Sequence, residues 1–356
     1  LKLLAAASCA AILAAVLPSA SGASAVRHAA PKYVYGIDTY VTYNCVSAAQ
    51  IDGWATTEAK AYKKLGANTI GIGFPIYMPS INSNLIYAKD VCNNQNFQSP
   101  SASILGGIVL AAEKVGLKVM IRPLLDQTNL YQENPAYWRG VIAPTSLSTW
   151  MSNYLTTLRP YLQMAQQDKV SYFALQTELD SIASAPNWTS AISICKILYK
   201  GTLVWNYSWD SAVRKITRPG TTFAVDAYPK LPLLTVTSTT KQIAAGWEGL
   251  LKSPPGYQLP NAQLTTMDEV GIAAQDGAYA NPANTAFSLK THPFNQKIQA
   301  NWFTAACTFM KVKHLQGVYF WGPFLTSNAG KMLSTPTPTS SSNIQPLAQT
   351  AIKKCF

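Results

Sequence analysis

The sequence predicts a single (β/α)8 barrel over residues 32–356. Short β-branched runs alternate with segments of helical period along the chain, eight such pairs can be placed, and no change of composition marks a boundary between two domains. Alternation of this kind gives parallel strands joined by helices. Eight units in roughly 320 residues suit a closed barrel with some long loops. An open sheet holding a dinucleotide would carry G-x-G-x-x-G after its first strand, and GIDTYV from Gly36 carries no such pattern.

The first strand is placed at 34–38. TEAKAYKKLGANTIGIGF follows: a helix at 57–65 ends at Gly66, which suits a helix C-terminus, and a buried strand follows at 69–74. SILGGIVLAAEKVGLKVMIRPLL repeats the pattern, with a helix at 103–115, Gly116, and a strand at 118–124. Further strands are predicted at 171–176, 203–206, 223–226, 264–267 and 317–321. Further helices are predicted at 147–167 with a bend at Pro160, and at 189–200, 209–216, 239–251, 294–311 and 346–354. The run STPTPTSSSN at 334–343 reads as a long loop before the terminal helix.

Residues 1–25 combine one lysine, an Ala/Leu/Val/Ile run and a terminal A-S-A, the pattern of a secretory signal peptide. The apolar run at 3–17 is shorter than the ~20 residues of a membrane span. The expectation is a soluble, secreted protein, extracellular or periplasmic, with no membrane association after signal removal. A composition 48% apolar, with 22 prolines and 20 glycines, supports a large core with many turns and excludes a disordered chain. The formal charge of +12 falls to +11 without Lys2, but the basic residues are dispersed, so no nucleic-acid partner is expected. A monomer is expected. In an oxidising compartment the remaining cysteines should pair as Cys45–Cys92 and Cys307–Cys355, leaving Cys195 as a buried thiol.

Only sixteen acids are present, so their placement is informative. Asp38, Asp126, Glu178, Asp180, Asp226, Asp268, Glu269 and Asp276 all fall at or just beyond predicted strand ends, where barrel enzymes carry their chemistry. Tyr40, Tyr77, Trp205, Tyr207, Tyr228 and Trp321 gather on the same rim. Carboxylates ringed by aromatics describe a sugar cleft, because C–H faces of pyranose rings pack on aromatic faces. Other chemistries fit poorly. His28, His292 and His314 are too few for a His-rich metal site, and there is no C-x-x-C, G-x-S-x-G, Walker loop or H-E-x-x-H. No metal or cofactor is expected.

Two segments stand out: YFALQTELDS ends the fourth strand with Glu178, and QLTTMDEVGIAAQDGAYANP ends the seventh with Glu269. Retaining glycoside hydrolysis needs one carboxylic acid to protonate the departing oxygen and one carboxylate to attack the anomeric carbon. At these residues the chain resembles the clan A glycoside hydrolases, retaining (β/α)8 enzymes with an acid/base Glu after strand four and a nucleophile Glu after strand seven. Within the clan, T-E-L at 177–179 and E-V-G followed by Q-D-G-A at 269–278 look most like glycoside hydrolase family 113, the endo-β-1,4-mannanases. Trp205-Asn206, Asp226-x-Tyr228 and F-W-G at 320–322 extend the resemblance across most of the mature chain. One departure is Thr177, where many clan members carry an Asn that binds the sugar 2-hydroxyl.

The resemblance implies an endo-acting β-glycosidase, β-1,4-mannan favoured, with an oligosaccharide or polysaccharide as substrate. Glu178 must hold its proton near neutral pH and Glu269 must stay ionised, aided by Tyr228 and by Arg122 after the third strand. Trp321 is expected to floor the central sugar subsite, and Asn206 and Asp226 to bind hydroxyls. Trp205, Asp38 and Asp126 are further candidates for substrate contact. Asp268, next to Glu269, is expected to point away from the mouth towards the helices. The alternatives are a glucan, xylan or acidic-glycan hydrolase on the same barrel, or a barrel that binds carbohydrate without turnover.

Overall fold

In the computed structural model, residues 33–42, 45–89, 98–209, 218–252, 265–284, 288–327, 329–330 and 343–356 are described. Eight parallel strands close a barrel in chain order: β1 (Val34–Tyr40), β2 (Thr69–Ile76), β3 (Lys118–Leu125), β4 (Tyr172–Thr177), β5 (Thr202–Ser208), β6 (Thr222–Asp226), β7 (Thr265–Val270) and β8 (Gly317–Phe324). All eight predicted strands are present. Most run further towards the mouth than their β-branched cores suggest, because residues there still pair, as Pro75 and Ile76 do with Leu124 and Leu125.

The helices are α1 (Ala48–Lys64), α2 (Ala102–Lys114), α3 (Thr128–Glu133), α4 (Leu147–Gln167), α5 (Asn187–Leu198), α6 (Thr240–Lys252), α7 (Gln296–Val312) and α8 (Pro346–Cys355). α1 begins well before residue 57. Ser47 starts it with a capping box, its side chain accepting from the Gln50 backbone N–H while the Gln50 side chain accepts from that of Ser47. Ser101, Ser146 and Asn295 cap α2, α4 and α7 in the simpler way. Gly66 and Gly116 follow α1 and α2 at φ +97° and +83°, the left-handed turn that ends a helix. Of the predicted segments, most of helix 209–216, most of loop 334–343 and all of leader 1–25 lie outside the described residues. Among the described residues, no helix is long and apolar enough to cross a membrane.

The core has two layers. Met120, Ala174, Val204, Ala224 and Tyr319 form a small cluster distinct from the large shell in which strands such as β4 contribute Phe173 and Leu175. These residues alternate along their strands with members of the shell, so they fill the barrel interior. Tyr319 can lie across it only because Gly36 has no side chain, since a Cβ there would sit 2.0 Å from the ring. Register shifts occur at the mouth ends of β1/β8, β4/β5, β6/β7 and β7/β8. Bulges re-aim side chains, and here they do so at the functional rim.

A disulfide between Cys307 and Cys355 ties α7 to α8, with Cα atoms 5.8 Å apart. Phe356 then stacks on Tyr35 and Phe320 at 4.8 and 5.6 Å. Cys195 is a buried free thiol. Cys45 is disulfide-bonded, while its predicted partner Cys92 lies outside the described residues.

Candidate active site

Arg122 on β3 is fully buried at the centre of the barrel floor. Its Nη1 donates to Asp38 Oδ2 at 3.2 Å and to the Asp268 carbonyl at 3.0 Å, and its Nη2 donates to Asp226 Oδ1 at 2.8 Å. Nη2 also lies 3.0 Å from Glu269 Oε1. Asn206 Nδ2 closes the network, donating to Asp226 Oδ1 at 2.9 Å and to Asp268 Oδ2 at 3.4 Å. One guanidinium thus contacts three carboxyl groups and one backbone carbonyl, and the Asp268 carboxyl joins them through Asn206. Four buried negative charges against one positive charge are untenable without bound protons. Accordingly, burial raises Asp38 and Asp226 well above the usual carboxylate range despite Arg122, and raises Asp268 to about 6.

Glu269 rises from this floor on β7. Its Oε2 accepts from the Tyr228 hydroxyl at 3.0 Å, so hydroxyl and guanidinium flank its two oxygens. Gly271 lets Tyr228 and Trp321 close over the strand end, since a Cβ there would meet Trp321 Cβ at 3.1 Å and the Tyr228 hydroxyl at 3.2 Å. Trp321 is half-buried, in register with Asp38, and its ring lies 6.2 Å from that of Tyr40.

Glu178 stands just beyond β4 at φ +54°, an unusual conformation for a side chain of this size. Its backbone N–H donates to the Asn206 carbonyl at 3.0 Å, which holds the turn against β5. Arg139 Nε donates to Glu178 Oε2 at 3.0 Å, and Arg139 Nη1 anchors on the Leu125 carbonyl at 2.9 Å. Burial raises the Glu178 carboxyl to about 7; Arg139 opposes the rise, and the charges of Glu269 and Asp180 add to it. The two glutamates therefore feel each other across the mouth while sitting in contrasting settings.

Several placements differ from the sequence reading. Trp205 faces the helices rather than the cleft: it is fully buried, its ring packs edge-on against Trp188 at 4.9 Å, and it alternates with the inward-facing Val204 and Asn206. Tyr207 shares that side. Asn206 and Asp226 do face inward, but both are fully buried and bound to each other and the Arg122 network, so they support the floor instead of reaching a sugar hydroxyl. Asp38 is held the same way. Asp268 points inward, not towards the helices. The bulge between Met267 and Val270 sets both of those residues in the outer shell and turns Asp268 and Glu269 together to the inside. Asp126 is half-buried at the mouth, where its Oδ1 accepts from the Thr128 N–H at 2.9 Å, a loop-forming role. Asp180 accepts from the Ser208 hydroxyl, and Asp276 from Asn295 Nδ2 at 2.7 Å. Arg139 is the site residue that sequence reasoning missed. It lies on a single 3-10 turn, Arg139–Val141, inside the long β3–α4 connection, where no periodicity marks it.

A closed (β/α)8 barrel with buried carboxyl groups on β4 and β7 is the layout of a clan A glycoside hydrolase. The sequence model of Glycoside Hydrolase Family 113 matches residues 41–324, and the chain belongs to that family. It is a glycoside hydrolase. Among solved structures, a GH113 β-mannanase from Alicyclobacillus acidocaldarius superposes with a TM-score of 0.68 at 15% identity, covering 91% of this chain and 97% of that one. A GH113 β-1,4-mannanase in a complex structure gives 0.67 at 12% identity, covering 91% and 98%. A family 5 mannosidase from Rhizomucor miehei gives 0.54 at 11% identity, covering 91% and 92%. These similarities establish the fold. No curated protein matches the chain by sequence.

Proposed function

We propose that this protein is a secreted, retaining endo-β-1,4-mannanase in which Glu178 is the acid/base and Glu269 the nucleophile. One observation carries the assignment of roles: burial raises Glu178 to about 7, so it can hold a proton, while Glu269 lies between a guanidinium and a phenol hydroxyl. Glu269 attacks the anomeric carbon as the glycosidic C–O bond breaks, and Glu178 gives its proton to the departing oxygen. Once Glu269 is esterified its negative charge is gone, and with it one of the influences that raise Glu178. Glu178 then becomes the better base for the water that hydrolyses the ester. Arg122 and Tyr228 hold the Glu269 carboxylate in line, and Trp321 offers its exposed face to the reacting sugar.

Mannan is favoured by the family and by the β-mannanases among the structural neighbours. Secretion is supported by the leader at 1–25 and by the Cys307–Cys355 disulfide, a bond suited to an oxidising compartment. The test is mass spectrometry of products from a mannan, glucan and xylan panel, with proton NMR of the first anomer formed. β-Anomeric manno-oligosaccharides of several lengths are expected. Release from glucan or xylan alone removes the substrate, and an α-anomer removes retention.

A further inference from the structure

Two N-x-S/T triplets occur in the chain with a residue other than proline in the middle: Asn187-Trp188-Thr189 and Asn206-Tyr207-Ser208. This is the acceptor pattern for N-linked glycans in secreted proteins. The fold separates the two. Asn206, Tyr207 and Ser208 lie on β5 and are buried, and the Asn206 amide donates to Asp226 Oδ1 at 2.9 Å and to Asp268 Oδ2 at 3.4 Å. A sugar on that nitrogen would have to enter the barrel interior and break both bonds. Asn187 instead opens α5, beyond the turn that follows β4. It is half-buried, Thr189 is exposed, and among the described residues the Asn187 amide makes no hydrogen bond. Between them Trp188 is fully buried and its Nε1 donates to the Ile182 carbonyl at 2.9 Å, which pins the start of the helix and leaves its neighbours facing outward.

The same helix carries a second feature on that side. With 3.6 residues per turn, positions 187, 190, 194 and 197 fall on one side of α5. There Ile194 is 38% and Ile197 72% exposed, while Ala191, Ile192 and Cys195 belong to the buried side. At ~1.5 Å per residue the two isoleucines lie roughly 10 and 15 Å along the axis from Asn187, within reach of a branched oligosaccharide attached there. We propose that Asn187 is an N-glycosylation site and that its glycan lies along this face of α5, over Ile194 and Ile197. The C–H faces of its sugar rings supply the apolar cover that the two side chains lack. The donor is a lipid-pyrophosphate oligosaccharide of the secretory compartment. Asn187 Nδ2 bonds to the anomeric carbon of its first sugar, the bond from that carbon to the phosphate oxygen breaks, the lipid pyrophosphate departs, and one amide proton passes to the transferase. The inference rests on the secretion reading above.

The experiment expresses the chain in a eukaryotic secretory host, once behind its own residues 1–25 and once with a leader of the host in their place. Protein from cells and medium is digested with peptide N-glycosidase in heavy-oxygen water and mapped by peptide mass spectrometry. The peptide holding Asn187 should contain aspartate marked with heavy oxygen in both preparations, and the Asn206 peptide should stay unmodified. Asn187→Gln and Thr189→Ala should each migrate as the digested protein does, while Thr189→Ser keeps the glycan. Digested wild type should be retained longer than the undigested protein on a hydrophobic-interaction column, and the gap should shrink when Ile194→Ser and Ile197→Ser are combined. An unmarked Asn187 behind the host leader, or a mark on Asn206 in secreted protein, overturns the acceptor assignment. A retention gap that the serine substitutions leave unchanged overturns the cover over the isoleucines. A mark that appears only with the host leader overturns the secretion reading and leaves the acceptor site intact.

Discussion

Arg139 Nε lies 3.0 Å from Glu178 Oε2, so the proposed proton donor carries a cation on its flank. The cation favours the ionised carboxylate, while burial and the charges of Glu269 and Asp180 favour the acid; the balance stands at about 7. In the proposed acid/base role Glu178 must be protonated to act, so kcat/KM should fall as pH rises through about 7. Removing the cation in Arg139→Gln raises the Glu178 pKa further and moves that limb to higher pH. The lost hydrogen bond also leaves the carboxyl less well aimed, so kcat should drop. Arg139→Lys should lie between the two. A pH–rate profile of the three proteins checks this, and an unmoved limb in Arg139→Gln would show that Arg139 does not act on the acid.

The two glutamates are separable by what rescues them. Glu178→Ala should lose roughly 10²–10⁴-fold on mannan, the size of a general-acid contribution. Azide can enter the vacated space and attack the glycosyl ester, giving a β-mannosyl azide from a substrate with an activated leaving group. In Glu269→Ala, azide can replace the nucleophile only by direct attack, giving the α-anomer. NMR of the two adducts assigns the roles. The same anomer from both variants, or full hydrolysis by either, contradicts the assignment.

Much of this arrangement was legible in the sequence, and what was missed has physical causes. The strands announced themselves because the barrel buries both faces of each, and runs such as NTIGIGF have few other uses. Glu178 and Glu269 stood out because acids are scarce. Strict alternation already forbade Trp205 and Asn206 from sharing a face, and the structure obeys it. Asp268 and Glu269 break the same rule, because a bulge at the end of β7 gives two successive residues one direction. Nothing in the local pattern marks that bulge. Arg139 was invisible for a different reason: its role depends on a loop returning to a strand thirty-nine positions away in sequence.

Gly71 on β2 tests whether the floor is a single unit. A Cβ at this position would lie 1.9 Å from Asp38 Oδ1, and Asp38 is bound to the guanidinium that sits beside Glu269. Gly71→Ala must therefore displace Asp38 or the strand. Overpacking of this kind costs about 1–3 kcal/mol. Because the displaced carboxyl also releases one side of Arg122, activity should fall together with the urea midpoint. A variant with wild-type midpoint and wild-type rate would mean that Asp38 has other room and that the network tolerates its movement.

Glu58 on α1 gives the fold a pH dependence separate from catalysis. Its carboxyl is fully buried, accepts from the Tyr62 hydroxyl at 3.0 Å, and is raised from 4.5 to about 7 by burial, with the Tyr62 and Thr39 hydrogen bonds opposing. A carboxyl whose folded pKa exceeds its unfolded one binds more protons in the native state between those values. Stability is then greatest below about 4.5 and declines as pH rises through about 7, by up to ~3 kcal/mol for this group. Asp38, Asp226, Asp268 and Glu178 are raised by burial as well and act in the same direction. The urea midpoint of the wild type should therefore be higher at pH 5 than at pH 8. Glu58→Gln keeps an acceptor for Tyr62 without a charge to bury, so it should exceed the wild type at pH 8 and show a shallower pH slope. Midpoints that rise towards pH 8, or a Gln variant that parallels the wild type, would mean that Glu58 stays ionised inside the protein at a cost met by groups other than Tyr62 and Thr39.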